Sequence, residues 1–297
     1  MINALTKKAV KLGFIAIGFS RPDIPPYFDR FIAWLSDAKH GDMAWLERNR
    51  EVRADPTRLL KGCRTVMSLA YPYPSQKVGT SDGYTVSRYA QPTVEDYHVR
   101  LKGLCRELVG IIETSDRGSK SRVCVDSAPI LEKGLAYAAG IGFIGKNNML
   151  IIPGYGSYFY LAEILTTLDI ETKRARAFEN RCGECTRCID ACPTGALEKP
   201  FLLNAGKCLS YLTIEHKEPV DTAYGRLMGD CFFGCDRCQE VCPFNKEQGP
   251  AQRLLPSTDS LLRMDEHLFK EKFGKTTFSR AGLEKIKANI QAVRDLR

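Results

Sequence analysis

No apolar run in this 297-residue sequence is long enough to span a bilayer. The first residues, Met-Ile-Asn-Ala-Leu-Thr-Lys-Lys, lack the apolar core of a signal peptide. The expectation is therefore a cytoplasmic protein with no membrane partner. No repeat of about 30–45 residues is visible, the period of solenoid arrays. Disulfides are not expected either: twelve cysteines in a cytosolic chain favour metal binding.

What is present is an ordinary globular composition, 44% hydrophobic, in a length that suits one large domain or two smaller ones. The formal charge is +8. The excess is uneven: residues 269–297 hold eight Lys/Arg against three Asp/Glu, a net of +5. Solvation explains such a run as readily as contact with an anionic polymer does.

The cysteines are concentrated. Cys182-Gly-Glu-Cys185-Thr-Arg-Cys188-Ile-Asp-Ala-Cys192-Pro193 reads C-x2-C-x2-C-x3-C-P. Cys235-Asp-Arg-Cys238-Gln-Glu-Val-Cys242-Pro243 repeats it without the first cysteine. This is the bacterial ferredoxin cadence, in which three cysteines hold one cubane and the fourth crosses to the other. Two [4Fe–4S] clusters need eight thiolates and the runs supply seven, so the eighth is Cys208 or Cys231. Crossing over puts one cluster on Cys182, Cys185, Cys188 and Cys242. The other takes Cys192, Cys235, Cys238 and one of the two candidates. Zinc is the alternative for C-x2-C pairs, and the near-doubled cadence with its prolines argues against it. Cys63, Cys105 and Cys124 sit in apolar surroundings and read as packed thiols.

Along the chain, helical spacing covers Ala4 to Leu12, and Phe14 to Phe19 reads as a buried strand. Tyr27 to Arg48 is rich in helix formers, and Arg50 to Pro56 reads as a charged loop. Thr65 to Tyr71 is a strand stopped by prolines, and residues 75–83 read as a flexible surface loop. Glu95 to Thr114 is a long helix. Arg122 to Asp126 is a strand ending in a carboxylate, followed by a helix from Ile130 to Ala139. An acid placed there is either a helix cap or an active-site group. Gly140-Ile-Gly142-Phe-Ile-Gly145 matches G-x-G-x-x-G, but a helix precedes it, so its glycines end a helix and allow close approach rather than bind a dinucleotide. Met149 to Pro153 and Tyr158 to Leu165 read as a hairpin. Residues 171–180 have linker composition. Leu283, Ile286, Ile290 and Val293 share helical spacing in the tail. The expected division is an α/β (α+β) domain over 1–175, a ferredoxin-like domain with two [4Fe–4S] clusters over 176–250, and a short basic helical tail over 251–297.

Taken together, several segments resemble the epoxyqueuosine reductase family of tRNA-modifying enzymes. They are Arg53-Ala-Asp-Pro56, Ser87-Arg88-Tyr89 with Asp96-Tyr97-His98, Val125-Asp126-Ser127-Ala-Pro129 and Gly140 to Asn147. Gly156-Ser157-Tyr158 with Leu161-Ala-Glu163, the cysteine runs, Cys208-Leu-Ser210-Tyr211-Leu-Thr213 and Gly234-Cys235-Asp236 complete the set. The resemblance covers about residues 1–250. It implies reduction of the epoxide of epoxyqueuosine to queuosine in the tRNA anticodon loop. It also implies cobalamin held by the N-terminal domain against the ferredoxin-like domain, and an external one-electron donor. Two clusters would relay electrons singly to the cofactor, which carries the hard step. Cys208 is then the eighth ligand and Cys231 is spare. Asp126 is the catalytic acid. Corrin contacts fall on or near Arg53, Ser87, Asp126, Leu150, Ser157, Leu161, Ser210, Cys235 and Asp236.

Two departures accompany the resemblance. Many members carry helical repeats after the ferredoxin-like domain; here at most a helix pair is expected, so the tRNA grip is reduced or borne by the basic tail. No D-x-H-x-x-G motif is present, since Lys270 stands where the glycine would be. A monomer is expected. The competing readings are an iron–sulfur electron-transfer module and another corrinoid iron–sulfur reductase of the reductive dehalogenase type.

Overall fold

The computed structural model describes residues 1–170, 178–246 and 249–294. The chain forms two compact units that do not follow its order. The first comprises Met1–Ala38, Ala44–Pro72 and His98–Glu184; the second comprises Lys39–Met43, Tyr73–Tyr97 and Cys185–Arg297. The division expected from sequence runs in chain order, whereas these units exchange segments. The linker expected at 171–180 lies largely outside the described residues.

The first unit is built on a four-stranded sheet in the order Ala16–Ser20, Thr65–Pro72, Phe159–Thr166, Ser121–Cys124. Every pairing is antiparallel, with Ala16 opposite Ala70, Thr65 opposite Thr166 and Cys124 opposite Glu163. The two central strands carry apolar residues on both faces, because helices cover them. Val66, Met67, Leu69, Ala70, Ala162, Ile164 and Leu165 are all fully buried. The Val, Met, Leu and Ile side chains among these each contribute about 1.5–3 kcal/mol when removed from water. The helix Tyr97–Ser115 buries Leu101, Cys105, Leu108 and Ile112, spaced four, three and four residues apart, which is one helical face. The helix Glu132–Ala138 lies on the central strands through Gly134, Leu135 and Ala136.

Two polar residues interrupt this core. Ser68 and Glu163 face each other across the central strand pair, and both are fully buried.

The first unit differs from the sequence expectation in three places. Helix formers between Tyr27 and Arg48 make the α-helix Phe28–Ser36 and a separate 3-10 turn, Ala44–Leu46, because Ala38 and Gly41 between them both take positive φ. Arg50–Ala54 is a helical turn rather than a loop, and it buries Arg53. The strand Leu150–Ile151 pairs with Phe143–Ile144, not with Phe159–Thr166, whose partners are Thr65–Pro72 and Ser121–Cys124. The expected hairpin is reduced to one bridge between Ile152 and Gly156. The glycine run behaves as expected: Gly140 ends the preceding helix at φ +71, and Gly142 allows a close approach, since a Cβ there would collide with the Ile151 carbonyl.

The second unit holds a sheet in the order Cys231–Phe233, Thr85–Val86, Val78–Thr80, Gln252–Leu255. Val78–Thr80 is therefore a buried interior strand, not a surface loop. Its outer partner lies some 170 residues later in the chain, a distance no local pattern reports. The tail is largely helical, but after the strand Gln252–Leu255 its described residues hold three α-helices, Thr258–Leu262, Glu266–Phe273 and Leu283–Arg294, where at most a pair is expected, and it is also core. The helix Leu283–Arg294 buries Leu283, Ile286, Ile290 and Val293 against Cys231–Phe233 and the helices Leu209–Ile214 and Thr222–Met228. Phe232, Phe233, Phe273 and Phe278 meet beside it as a tilted aromatic cluster.

Candidate active site and cluster ligands

The two cysteine runs fold alike. Cys188 lies in the one-turn helix Arg187–Asp190 and Cys238 in Arg237–Glu240, and these two turns pack together. In each, the next cysteine donates its N–H back into the turn: Cys192 to Ile189 O at 3.1 Å, Cys242 to Gln239 O at 3.2 Å. Its own carbonyl then accepts from the residue three further on, Gly195 or Asn245. The proline after each cysteine costs nothing here, since the chain has left the helix.

All twelve cysteines are free thiols. Cys208 caps the helix Leu209–Ile214. Its thiol is raised by burial and then by the charge of Cys192. Burial lifts Cys235 to about 11, and Cys208 adds to it. Cys238 is raised further still, by burial and by Cys235, Cys208, Cys188 and Cys192. Cys208, Cys235 and Cys238 thus crowd together beside Cys192, and the Arg237 guanidinium offsets the burial of Cys235 only in part. Thiols raised in this way ionise when a metal draws them down, which suits these three to iron. Among the described residues no three His, Cys, Asp or Glu side chains are arranged to hold a single metal ion. Cys231 lies in its strand with Sγ directed at the carbonyls of Phe233 and Gly234, each at 3.5 Å. Burial pushes it up to about 12, with Cys235 contributing. Cys182 belongs to the first unit, where Lys146 Nζ donates to Gly183 O at 2.5 Å and Asn180 donates to Ile144 O at 2.6 Å. Cys185, Cys188 and Cys242 belong to the second.

Within the second unit a buried ion network supports the Cys235 run. Arg88 donates to Asp236 through its backbone N–H at 2.8 Å and through Nη1 at 3.0 Å. Nη1 also reaches Glu240 at 2.7 Å, Nε reaches Ser75 O at 2.6 Å, and Lys77 pairs with Glu240 at 2.9 Å. Burial still raises the Asp236 carboxyl despite these partners. Ser87, one residue earlier, leaves Oγ buried without a partner. A Cβ on Gly234, at φ +76, would collide with that oxygen. Ser210 sits half-buried in the helix after Cys208.

Within the first unit, Asp126 follows its strand in a left-handed conformation, φ +53. Its side chain is 61% exposed and meets His98 Nε2 at 3.0 Å through Oδ2. Its backbone N–H donates to Glu132 Oε1 at 2.6 Å. Arg53 is buried, donates to Ile130 O at 3.4 Å, lies over the Phe31 ring and leaves Nε without a partner. Leu150 and Leu161 pack in one apolar cluster, and Ser157 is buried. Two of the residues expected to touch the corrin, Arg53 and Ser87, thus carry buried polar atoms that a polar ligand would satisfy. That is a fit to a cofactor rich in amide groups.

Sequence reading passed over Lys77, Glu240, His98 and Glu132 as site residues. Only His98 carries a signal, through its place in the segment Asp96-Tyr97-His98; Lys77 and Glu240 are distant in sequence from what they touch, and Glu132, six residues from Asp126, reads as an ordinary first-turn helix acid.

Two family models match the chain: "Epoxyqueuosine reductase QueG, DUF1730" over residues 53–127 and "4Fe-4S double cluster binding domain" over residues 181–245. The epoxyqueuosine reductase of Cellulophaga algicola is 33% identical over 298 residues, covering 97% of this chain and 96% of that protein. An epoxyqueuosine reductase solved with an epoxyqueuosine-modified tRNA-Tyr stem loop is 31% identical with a TM-score of 0.83, covering 99% of this chain and 81% of that one. A Bacillus subtilis epoxyqueuosine reductase, solved with its catalytic aspartate loop swung out of the active site, is likewise 31% identical, with a TM-score of 0.84 and the same coverage. On this identity and coverage, with an oxidoreductase fold and a double-cluster domain in common, the chain belongs to the epoxyqueuosine reductase family.

Proposed function

We propose that this protein reduces the epoxide of epoxyqueuosine in the tRNA anticodon loop to queuosine, using two [4Fe–4S] clusters and cobalamin. The observation that carries this reading is the convergence of Cys192, Cys208, Cys235 and Cys238 in a chain that belongs to this family. When bound, the clusters and cobalamin supply electrons and a low-valent metal centre for a two-electron C–O cleavage.

The chain's own residues hold, orient and protonate. Cys192, Cys208, Cys235 and Cys238 would carry one cluster, and Cys182, Cys185, Cys188 and Cys242 the other. Arg88 clamps Asp236 beside Cys235, which keeps that ligand loop from relaxing when its neighbours change charge. Arg53, Ser87, Leu150, Ser157, Leu161, Ser210 and Asp236 are the candidate corrin contacts. Asp126 gives a proton to the departing epoxide oxygen, and His98 orients its carboxyl. The donor of electrons is an external one-electron carrier.

For the tRNA, the basic excess of the C-terminal region narrows to a few side chains. Lys285, Arg280 and Arg294 are engaged within the protein. Lys270, Lys272 and Lys275 are exposed, and among the described residues none is in an ion pair. They are the proposed phosphate contacts. No helix among the described residues is long and apolar enough to cross a membrane. Monomeric action in the cytoplasm is part of the proposal.

Nucleoside analysis after anaerobic incubation of the reduced, reconstituted protein with an epoxyqueuosine-bearing stem loop tests this function. Queuosine should replace the epoxide, and an Asp126→Asn protein with full cluster and corrin content should convert it far more slowly. An epoxide that persists with the wild-type holoprotein contradicts the reading.

A further inference from the structure

The polar break in the first sheet has a chemical consequence. Glu163 sits in the centre of its strand, fully buried, opposite Ser68 on one side and Cys124 on the other. Neither of its oxygens has a hydrogen-bond donor of the protein beside it. The group that faces it is the carboxyl of Glu132, at the start of the helix Glu132–Ala138. Two carboxyls in contact in a dry place cannot both ionise, so they share a proton.

The surroundings offer no alternative. Among the described residues no Lys or Arg pairs with either glutamate. Arg53, from the turn Arg50–Ala54, feels Glu132 but spends its guanidinium on Ile130 O and the Phe31 ring. Cys105, from the helix Tyr97–Ser115, and Cys124 face Glu163; burial first and then Glu163 raise both thiols, which stay neutral. His98 and Asp126 face Glu132. The proton falls on Glu163, which is raised well above the usual carboxylate range by burial and by Glu132. Glu132, less enclosed, is raised by burial and by Asp126 to about 7.

Glu132 is also the acceptor for the Asp126 N–H at 2.6 Å. Asp126 is not glycine, yet it holds φ +53, and such a backbone persists only where its surroundings fix it. A charged acceptor fixes it more firmly than a neutral one. We propose that Glu132 and Glu163 form a single-proton carboxyl pair, and that the charge carried on Glu132 holds the Asp126 backbone in its working position. Glu132 is a positioning residue, Glu163 the proton store that tunes it. This rests on Asp126 being the acid of the reaction proposed above.

The test is the single-turnover rate of prereduced holoenzyme against pH, together with the infrared spectrum of the protein at pH 8. In the wild type the rate should rise about tenfold from pH 6 to pH 8, as Glu132 ionises near 7. Glu132→Gln, which keeps an acceptor oxygen without charge, should flatten that rise to under about twofold with KM little changed. Glu132→Asp, which keeps the charge, should retain the rise at a lower rate. The wild type should show a protonated-carboxyl band at pH 8 that Glu163→Gln removes. A rise unchanged in Glu132→Gln overturns the positioning role, and a band unaltered in Glu163→Gln overturns the shared proton. Failure of the acid assignment looks different: Asp126→Asn then turns over normally, which also overturns the positioning role, while the infrared band persists.

Discussion

Arg88 reaches Asp236 twice, from its backbone N–H and from Nη1, at a place where only 7% and 4% of the two side chains remain exposed. The pair joins the segment Tyr73–Tyr97 to the Cys235 run, 148 residues later in the chain. Removing the Arg88 side chain leaves the Asp236 carboxylate buried without its hydrogen-bonded guanidinium partner, with Lys77 the remaining cation it feels. Arg88→Met should therefore destabilise the protein by about 3–5 kcal/mol, read from urea denaturation of the reconstituted form. Lys77→Met, which breaks only the Glu240 arm, should cost less.

Cys208 and Cys231 should separate by iron content. Cys208→Ala removes a thiol from the buried group and should leave about four irons per chain in place of about eight. Cys231→Ala should keep about eight, because its Sγ is directed at backbone carbonyls. The reverse result would assign the eighth ligand to Cys231.

Asp126→Asn should lower turnover by about 10²- to 10⁴-fold with iron and corrin content unchanged. The side chain is 61% exposed, so the loss comes from chemistry and not from a damaged core. Stopped-flow or quenched single turnovers on the stem loop measure it.

Stability should respond to pH through Glu163. Its folded pKa lies above the ordinary glutamate value of 4.5, so the stability it favours is present below that value and lost as pH rises through the folded one. Glu163→Gln mimics the protonated acid. It should raise the denaturation midpoint relative to wild type at pH 8 and make little difference at pH 4.

The C-terminal region carries two separable roles. Ile286→Ala empties a fully buried site in the core of the second unit and should cost about 2–5 kcal/mol. Replacing exposed Lys270, Lys272 and Lys275 with glutamine should spare stability and lower the salt slope of stem-loop binding by about one per lost phosphate contact. Truncating the tail cannot separate these roles, because the last helix is packed against Cys231–Phe233.

Some of this was legible in the residues and some was not, for physical reasons. The cysteine cadence reports a loop that must return a thiolate every few residues, so spacing carries seven of the eight expected ligands and leaves the eighth open between Cys208 and Cys231. Helices such as Tyr97–Ser115 announce themselves because one face repeats every three or four residues. Val78–Thr80 did not, since a three-residue strand containing glycine owes its existence to Gln252–Leu255. Leu150–Ile151 was read as a strand and given the wrong partner, because alternation fixes a strand but not its neighbour. Glu132 and Glu163 were invisible as a pair: each looks like a solvated glutamate until the sheet and helix bring them together.

The most direct test compares the same reduced, cluster-loaded protein with and without cobalamin on an epoxyqueuosine-bearing stem loop. The account predicts queuosine, having lost the epoxide oxygen, with cobalamin and none without it. Equal conversion in its absence, or an intact epoxide in its presence, would contradict the account.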